Sequence, residues 1–204
     1  GAITDTTCDD VNYMFYYNYL FTKHLVDQAV RHYKKIVFAS SASIYGVNGY
    51  PTSIYAWSKK CAEDYGIQRL AENFVSLRYF NVYGPGEEHK EKMSSVACQA
   101  YGKSEFKLFP KQPTRDFVYV DDVVNLYLMI SQALLNDPKR IAGEIFNAGT
   151  NSPVEMRDVI RQIYSLIGND PDYMIIEEKM LGNETEGEID HQYMDFQKVN
   201  TELL

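Results

Sequence analysis

The chain has 204 residues, a formal net charge of −8 and 45% hydrophobic residues. This length suits one domain, or one large domain with a small lobe, and the hydrophobic content is ordinary for a globular protein. The negative charge argues against a nucleic-acid-binding face, because no run of lysine or arginine supplies a local exception. No apolar stretch approaches the ~20 residues that a helix needs to cross a bilayer, so we expect no membrane partner.

Cysteine and histidine residues give no sign of a metal site. Cys8, Cys61 and Cys98 are widely separated and lack metal-ligand spacing, and the 4 histidines are scattered. We therefore predict no metal. Separated cysteines of odd number are typical of small buried residues in a reducing compartment, so we expect a cytoplasmic protein.

The first predicted element is a long amphipathic helix over 11–33, in which apolar residues recur at helical spacing. Thr7 or Asp9 is the candidate N-cap. A short apolar run over 36–39 follows and is typical of a buried parallel strand.

Helices and strands then alternate along the chain. The predicted elements are a helix over 56–73, a strand over 74–80, a helix over 94–101, a strand over 117–120, a helix over 123–135, a strand over 144–149 and a helix over 153–167. This alternation indicates an α/β fold with a parallel sheet.

Tyr55 and Lys59 are four residues apart, so they share one face of the predicted helix. An ammonium beside a phenol in a partly dry site favours the phenolate, which lowers the tyrosine pKa from about 10 toward neutrality. Hydroxyls at the end of the preceding strand, such as that of Ser41, could hold the reacting oxygen of a substrate. Serine, tyrosine and lysine in this order suit proton exchange with an alcohol or ketone while a nicotinamide exchanges hydride. The alternative is an ordinary aromatic residue beside a solvated amine.

Three further motifs accompany the Tyr-Lys pair. They are SASIYG at 41–46, RYFNVYGP at 78–85 and RDFVYVDD at 115–122. In this order they resemble the extended branch of the short-chain dehydrogenase/reductase superfamily, which acts on nucleotide sugars. The resemblance implies a Rossmann-type doubly wound parallel sheet that binds NAD or NADP, and a small C-terminal lobe that binds a nucleotide-diphosphate sugar. It also leads us to expect a homo-oligomer.

The same resemblance divides the chain into two parts. Residues 1–83 would form the second part of the nucleotide-binding domain, and 84–204 mainly the substrate-binding lobe, with 116–125 and 144–150 returning to the first domain. The sequence contains no glycine-rich turn for the cofactor pyrophosphate. We therefore expect that the first half of the nucleotide-binding domain is absent and precedes residue 1. The alternative is a naturally short protein with its own mode of cofactor binding.

Residues 81–97, which include the charged run 87–92, resemble the ADP-L-glycero-D-manno-heptose 6-epimerases. In that family the lysine of a His-Lys pair is a second acid/base, and the matching residue is Lys90. An epimerase needs a proton donor for each face of its ketone, so a second amine is useful. The family's small Gly-Ser after this lysine is Glu91-Lys92 here. Without the resemblance, Lys90 would be interpreted as a solvated charge.

We therefore expect a nucleotide-sugar epimerase that uses transient hydride transfer. A 4-epimerase or a reductase with the same residues is a close alternative. Dehydratases of the superfamily carry an Asp-Glu pair where this chain has Ala42-Ser43, which disfavours 4,6-dehydration. An alternative from another class is a non-catalytic binding fragment that kept the fold.

The resemblance also implies a set of site residues. The catalytic residues would be Ser41, Tyr55, Lys59 and Lys90. The cofactor would contact Tyr55 and Lys59 together with Gly1, Ala2, Asn18, Ala39, Ser40 and Val82. The substrate would contact Ser43, Asn81, Lys92, Gln99, Phe109 and Arg115. Among these, Arg115 suits diphosphate oxygens through paired N–H donors, and its alternative role is a surface ion pair with Asp116.

Overall fold

The structure is a computed structural model that describes residues 2–101, 103, 106–108, 113–169, 175–177 and 191–192. Its helices are α1 (Val11–Phe15), α2 (Phe21–Arg31), α3 (Ile54–Leu70), α4 (Val96–Tyr101), α5 (Val120–Asn136), α6 (Pro138–Ile141) and α7 (Met156–Leu166). Its strands are β1 (Ile36–Ser41), β2 (Phe74–Tyr79), β3 (Asn81–Tyr83), β4 (Phe106–Leu108), β5 (Thr114–Tyr119), β6 (Ile145–Ala148), β7 (Pro153–Glu155), β8 (Ile175–Glu177) and β9 (His191–Gln192). In the part of the chain that is described, no helix is long and apolar enough to span a membrane.

Contacts divide these residues into two compact units. The first unit holds the described residues up to 79 together with 123–148, and the second holds the others. The first unit is built on a parallel sheet with strand order β1-β2-β6, in which Ile36 lies opposite Phe74.

Side chains of β2 alternate between the two faces of this sheet and so contribute to two cores. Phe74 packs on one face with Val26, Ala29, Phe38, Ala62 and Leu70, which come from α2, β1 and α3. Val75 and Leu77 pack on the other face with Ile130, Leu134, Ile141 and Phe146, which come from α5, α6 and β6. Helices therefore cover both faces of the sheet, which confirms the predicted doubly wound α/β fold.

The predicted helix over 11–33 is interrupted by a π-helical turn. α1 ends at Phe15, the turn spans Tyr16–Leu20, and α2 continues to Arg31. A π turn holds one residue more than an α-helical turn, and such turns are frequent at functional sites. Asn18 lies in this turn and is buried.

The N-cap of α1 is Asp10, so the prediction of Thr7 or Asp9 was wrong. The Asp10 carboxylate accepts a hydrogen bond from the Tyr13 backbone N–H at 2.9 Å, which satisfies a donor of the first helical turn. Thr7 instead donates its hydroxyl to Asp5 at 2.6 Å.

The predicted helix over 153–167 begins three residues later than expected. Residues 153–155 form β7, which pairs antiparallel with β5, and Pro153 lies opposite Asp116. A proline suits the first residue of a strand because it lacks the N–H that a strand interior would use. The helix begins at Met156.

The second unit contains two small sheets and a helical pair. β5 pairs parallel with β3 and β9 and antiparallel with β7, and β4 pairs parallel with β8. α4 packs on α7 around Ala100, Phe106, Ile160 and Tyr164. By their contacts residues 80–83, 116–122 and 149–150 lie in this unit, although we assigned them to the first domain. The functional roles of the two parts remain predictions.

A buried ion pair joins α3 to β2. The Arg78 guanidinium donates two hydrogen bonds to the Glu63 carboxylate, at 2.5 and 3.2 Å, and the Ser76 hydroxyl donates a third at 2.6 Å. The Arg78 guanidinium carbon also lies 4.7 Å from the centre of the Tyr45 ring, whose hydroxyl donates to Asn147 at 2.5 Å. The pair therefore connects α3, β2, the 3₁₀ turn Ala42–Tyr45 that follows β1, and β6.

We expect Arg78→Met to lower the free energy of unfolding by about 3–5 kcal/mol, because it leaves the Glu63 carboxylate buried without its charged partner. Urea denaturation measures this change. Lys60→Met is the matched control, since it removes a partly exposed ion pair with Asp64 on the same helix and should change the free energy by less than about 1 kcal/mol. Similar losses in both variants would contradict the structural role of Glu63 and Arg78.

Candidate active site

Helix α3 presents Tyr55 and Lys59 from its first two turns. The Ser53 hydroxyl accepts a hydrogen bond from the Ala56 backbone N–H at 3.1 Å and so caps the helix. The cap fixes the first turn, which contains Tyr55. Tyr55 is 9% exposed and Lys59 is 6% exposed, so both polar side chains are held in a largely water-free environment.

Ser41 ends β1 beside the Tyr55 hydroxyl. Its Oγ accepts hydrogen bonds from the Ser43 backbone N–H at 3.2 Å and from the Ser43 hydroxyl at 2.9 Å. Burial raises the pKa of Tyr55 above its ordinary value, and a hydrogen bond with Ser41 opposes this rise without cancelling it. The hydroxyls of Ser41, Ser43 and Tyr55 therefore form one cluster at the carboxyl end of β1. Ser40 is the buried residue just before them.

The Lys59 amine lies against β1. It donates a hydrogen bond to the Ala39 carbonyl oxygen at 2.9 Å, and it lies 5.2 Å from the centre of the Phe38 ring. Burial lowers the pKa of Lys59 to about 8. We expected Lys59 to bring the pKa of Tyr55 toward neutrality, but in this structure the pKa of Tyr55 is raised. Both groups are desolvated, which disfavours the charged form of each.

Asn18 links three segments near this cluster. Its side-chain oxygen accepts from the Ile3 backbone N–H at 2.8 Å, and its amide donates to the Ile3 carbonyl at 2.9 Å and to the Ser58 hydroxyl at 3.0 Å. Asn18 is 2% exposed, so it is not a polar residue on a solvated helix face. It fixes the backbone next to Ala2 and the residue next to Lys59, and its contact with a cofactor remains a prediction.

The strands of the second unit carry two predicted substrate contacts. Asn81, on β3, donates its side-chain amide to the Asp116 carbonyl at 3.2 Å. Its neighbour Val82, predicted to contact the cofactor, is half-buried. Arg115, on β5, donates to the Thr114 carbonyl at 2.9 Å.

The charged run predicted to hold the second acid/base folds as a kinked 3₁₀ segment, Glu88–Met93, in which the non-helical residue Glu91 separates two short 3₁₀ pieces. Lys90 is exposed, and its backbone N–H donates to the Glu87 carbonyl at 2.9 Å. Gln99, on α4, donates its amide to the Ser94 carbonyl at 2.8 Å.

Three predicted contacts cannot be placed. Gly1 and Phe109 lie outside the described residues, and so does the side chain of Lys92. Among the others, the structure brings together a cluster in the first unit, formed by Ala39, Ser40, Ser41, Ser43, Tyr55 and Lys59. The second unit carries Asn81, Val82, Lys90, Gln99 and Arg115.

The pattern of strand, serine turn and Tyr-Lys helix has a counterpart among known proteins. Residues 3–149, which are most of the chain, match the NAD dependent epimerase/dehydratase family. The chain belongs to this family. The predicted resemblance to nucleotide-sugar enzymes of the extended short-chain dehydrogenase/reductase type is thereby confirmed.

Relatives within the epimerase/dehydratase family include ADP-L-glycero-D-manno-heptose-6-epimerases. That of Brachyspira hyodysenteriae is 34% identical over 188 residues, which cover 80% of this chain and 57% of the relative. That of Cupriavidus pinatubonensis is 35% identical over 182 residues, which cover 78% and 53%. The crystal structure of the Helicobacter pylori enzyme superimposes with a TM-score of 0.73 at 29% identity, over 87% of this chain and 59% of that chain. The chain thus spans about half the length of the curated relatives it matches.

Two fully buried carboxylates of this epimerase/dehydratase family member were not among the predicted site residues. Glu63 is fully buried, and its position four residues after Lys59, on the same helix face, was an available signal. Asp116 was considered only as a surface partner for Arg115. It is instead fully buried and accepts hydrogen bonds from the backbone N–H and the hydroxyl of Thr150.

We predict that the free energy of unfolding rises between about pH 8 and pH 10. Burial in the folded chain lowers the pKa of Lys59 from 10.5 to about 8, so the unfolded chain binds more protons in this range. Proton binding therefore stabilises the unfolded chain, and raising the pH removes this advantage and stabilises the folded chain. Above pH 10 the raised pKa of Tyr55 acts in the opposite direction. Chemical denaturation across this range measures the slope.

The variant Lys59→Met should remove this rise. Lys60→Met, which changes the next lysine on the same helix, should keep it because the Lys60 side chain is 33% exposed. An unchanged slope in Lys59→Met would show that another group causes the pH dependence.

Proposed function

We propose that the protein is a nucleotide-sugar epimerase that works by transient hydride transfer to bound NAD or NADP, most like ADP-L-glycero-D-manno-heptose 6-epimerase. The observation that carries the proposal is the hydrogen-bonded cluster of Ser41 and Tyr55, one helical turn from the buried amine of Lys59. The identity of 34–35% to two enzymes of that name supports this substrate class.

The residues of the first unit fit the nicotinamide end of such a cofactor. Lys59 has three N–H donors, and the hydrogen bond to Ala39 uses one of them. The remaining donors suit the vicinal hydroxyls of a ribose. Asn18 holds the backbone at Ile3 close to this helix, and we assign Ala2, Ala39 and Ser40, with Gly1, to the cofactor surface. Val82, which belongs to the second unit, is assigned to the cofactor as a further contact. When bound, the cofactor supplies a reversible hydride acceptor.

The proton chemistry would then belong to the chain itself. The Ser41 hydroxyl would hold the reacting oxygen of the sugar against Tyr55, with help from Ser43. With its raised pKa, Tyr55 rests as the neutral phenol at pH 7, ready to donate a proton to a ketone oxygen. To accept a proton from an alcohol it needs a nearby positive charge, and Lys59, with a pKa of about 8, is mostly protonated at pH 7.

Epimerisation requires proton transfer on the second face of the ketone as well. We assign this role to Lys90, the exposed lysine of the charged 3₁₀ segment. Asn81 and Arg115 would bind the diphosphate, for which the planar guanidinium of arginine is well suited. Gln99 and, from outside the described side chains, Lys92 and Phe109 complete the proposed substrate contacts. Homo-oligomeric assembly and a cytoplasmic location remain predictions.

The decisive experiment incubates the complete protein encoded by the gene with ADP-D-glycero-D-manno-heptose and separates the epimers by chromatography. Conversion without net consumption of cofactor is expected. Tyr55→Phe should lower the rate by about 10²–10⁴-fold because it removes the acid/base, and Lys90→Met should lower it by a similar factor because it removes the second one. Lys60→Met is the control, since its side chain forms an exposed ion pair with Asp64.

Other outcomes point to other functions. Stoichiometric oxidation of reduced cofactor would indicate a reductase. Absence of conversion by folded, cofactor-loaded protein would exclude the heptose substrate, and a panel of UDP-, GDP- and CDP-sugars would then test the wider epimerase proposal. Full activity of Lys90→Met would show that Lys90 is a solvated charge without a catalytic role.

A further inference from the structure

A buried carboxylate closes the base of the loop that carries Lys90. Glu87 is 8% exposed, and its carboxylate accepts hydrogen bonds from the Gly84 N–H at 3.3 Å, the Ser95 N–H at 2.6 Å and the Ser95 hydroxyl at 2.5 Å. Gly84 follows β3 and Ser95 precedes α4. Glu87 therefore joins the two ends of the 84–95 loop.

A backbone hydrogen bond joins Lys90 to Glu87, the residue that carries this carboxylate. The Lys90 N–H donates to the Glu87 carbonyl at 2.9 Å, which begins the 3₁₀ segment. Immediately after Lys90, the Glu91 carbonyl accepts two hydrogen bonds from Ser94, from its N–H at 3.1 Å and from its hydroxyl at 2.6 Å. The backbone of Lys90 is thus fixed on both sides.

Glu91 has an unfavourable backbone conformation. Its φ of 49° and ψ of −116° lie where a side chain collides with the backbone, and glycine is the residue that adopts this region readily. Such a conformation persists only where the surrounding structure imposes it, and it concentrates at functional sites. Here the surrounding bonds are those of Glu87 and Ser94.

We propose that Glu87 is a positioning residue, which holds the 84–95 loop in the strained conformation that sets the direction of Lys90. The proposal rests on the proposed function, in which Lys90 transfers a proton on one face of the ketone. A buried polar group is unfavourable unless it is hydrogen-bonded, and the bonds that satisfy the Glu87 side chain come from Gly84 and Ser95, at the two ends of the loop. Loop closure and carboxylate burial therefore depend on each other, and Lys90 lies between them.

The kinetic test uses Glu87→Gln in the complete protein, with Glu88→Gln as the control on the exposed neighbouring residue. Each of the two epimers is mixed separately with the cofactor-loaded enzyme, and the first hydride transfer is followed through the absorbance of reduced nicotinamide. Glu87→Gln should slow the transfer from one epimer by about tenfold to hundredfold, as expected when a reacting group is misplaced by about 1 Å. Transfer from the other epimer, which uses Tyr55, should stay within about twofold of the wild type.

The asymmetry between the epimers is the discriminating result. It should match the asymmetry of Lys90→Met in direction, because both variants impair the same proton transfer. An equal loss for both epimers would indicate that Glu87 supports the fold alone, and no loss would exclude the positioning role. Either result overturns the proposal.

A second measurement does not depend on activity. Amide hydrogen exchange at Gly84 and Ser95 should be faster in Glu87→Gln than in the wild type, because the amide side chain replaces one acceptor oxygen by a donor. Glu91→Gly should raise the midpoint of thermal unfolding, since glycine adopts the observed φ without strain. Unchanged exchange or a lowered midpoint would contradict the proposal that Glu87 holds the 84–95 loop in a strained conformation, even if the enzyme is active. If no nucleotide sugar is epimerised, the proposed function fails while these two results still decide whether Glu87 holds the loop.

Discussion

The buried ion pair of Glu63 and Arg78 fixes how helix α3 lies on the sheet of the first unit. Glu63 lies one helical turn beyond Lys59, and Arg78 lies on the central strand β2. The cluster of Ser41 and Tyr55 spans two elements, β1 and α3, so its geometry depends on how firmly α3 is held. A buried ion pair is a weak source of net stability, but breaking it is unfavourable. It therefore acts mainly as a geometric constraint on the candidate active site.

The parts of the fold that the sequence predicted correctly depend on local patterns. The apolar run before Ser40 and the spacing of Tyr55 and Lys59 are visible in a few consecutive residues, and they define β1 and α3. The π-helical turn was not predictable, because α1 supplies only 5 residues before it, too few to show a one-residue shift in the apolar spacing. The three residues of β7 were assigned to a helix because their partner β5 lies more than thirty residues away in the chain, and pairing at that distance leaves no local signal.

For the candidate site, the proximity of Ser41, Tyr55 and Lys59 was easier to predict than their electrostatics. The direction of the pKa of Tyr55 depends on burial, which results from the packing of the whole unit. Glu87 lay hidden in a run of charges that is typical of a solvated surface, yet it is buried. The sequence did show that Glu91 replaces a small residue of the related epimerases. It did not show that the backbone there has a conformation suited to glycine.

The π-helical turn at Tyr16–Leu20 also constrains how this region can vary in length. The turn accommodates its extra residue by widening locally, so the loss of one residue would restore α-helical bonding and change the direction of the side chains within the turn, including that of Asn18. The Asn18 side chain would then no longer reach both Ile3 and Ser58. Homologues that keep this contact must keep the residue count across the turn. In an alignment of such sequences, insertions and deletions belong in the loops before Val11 or after Arg31.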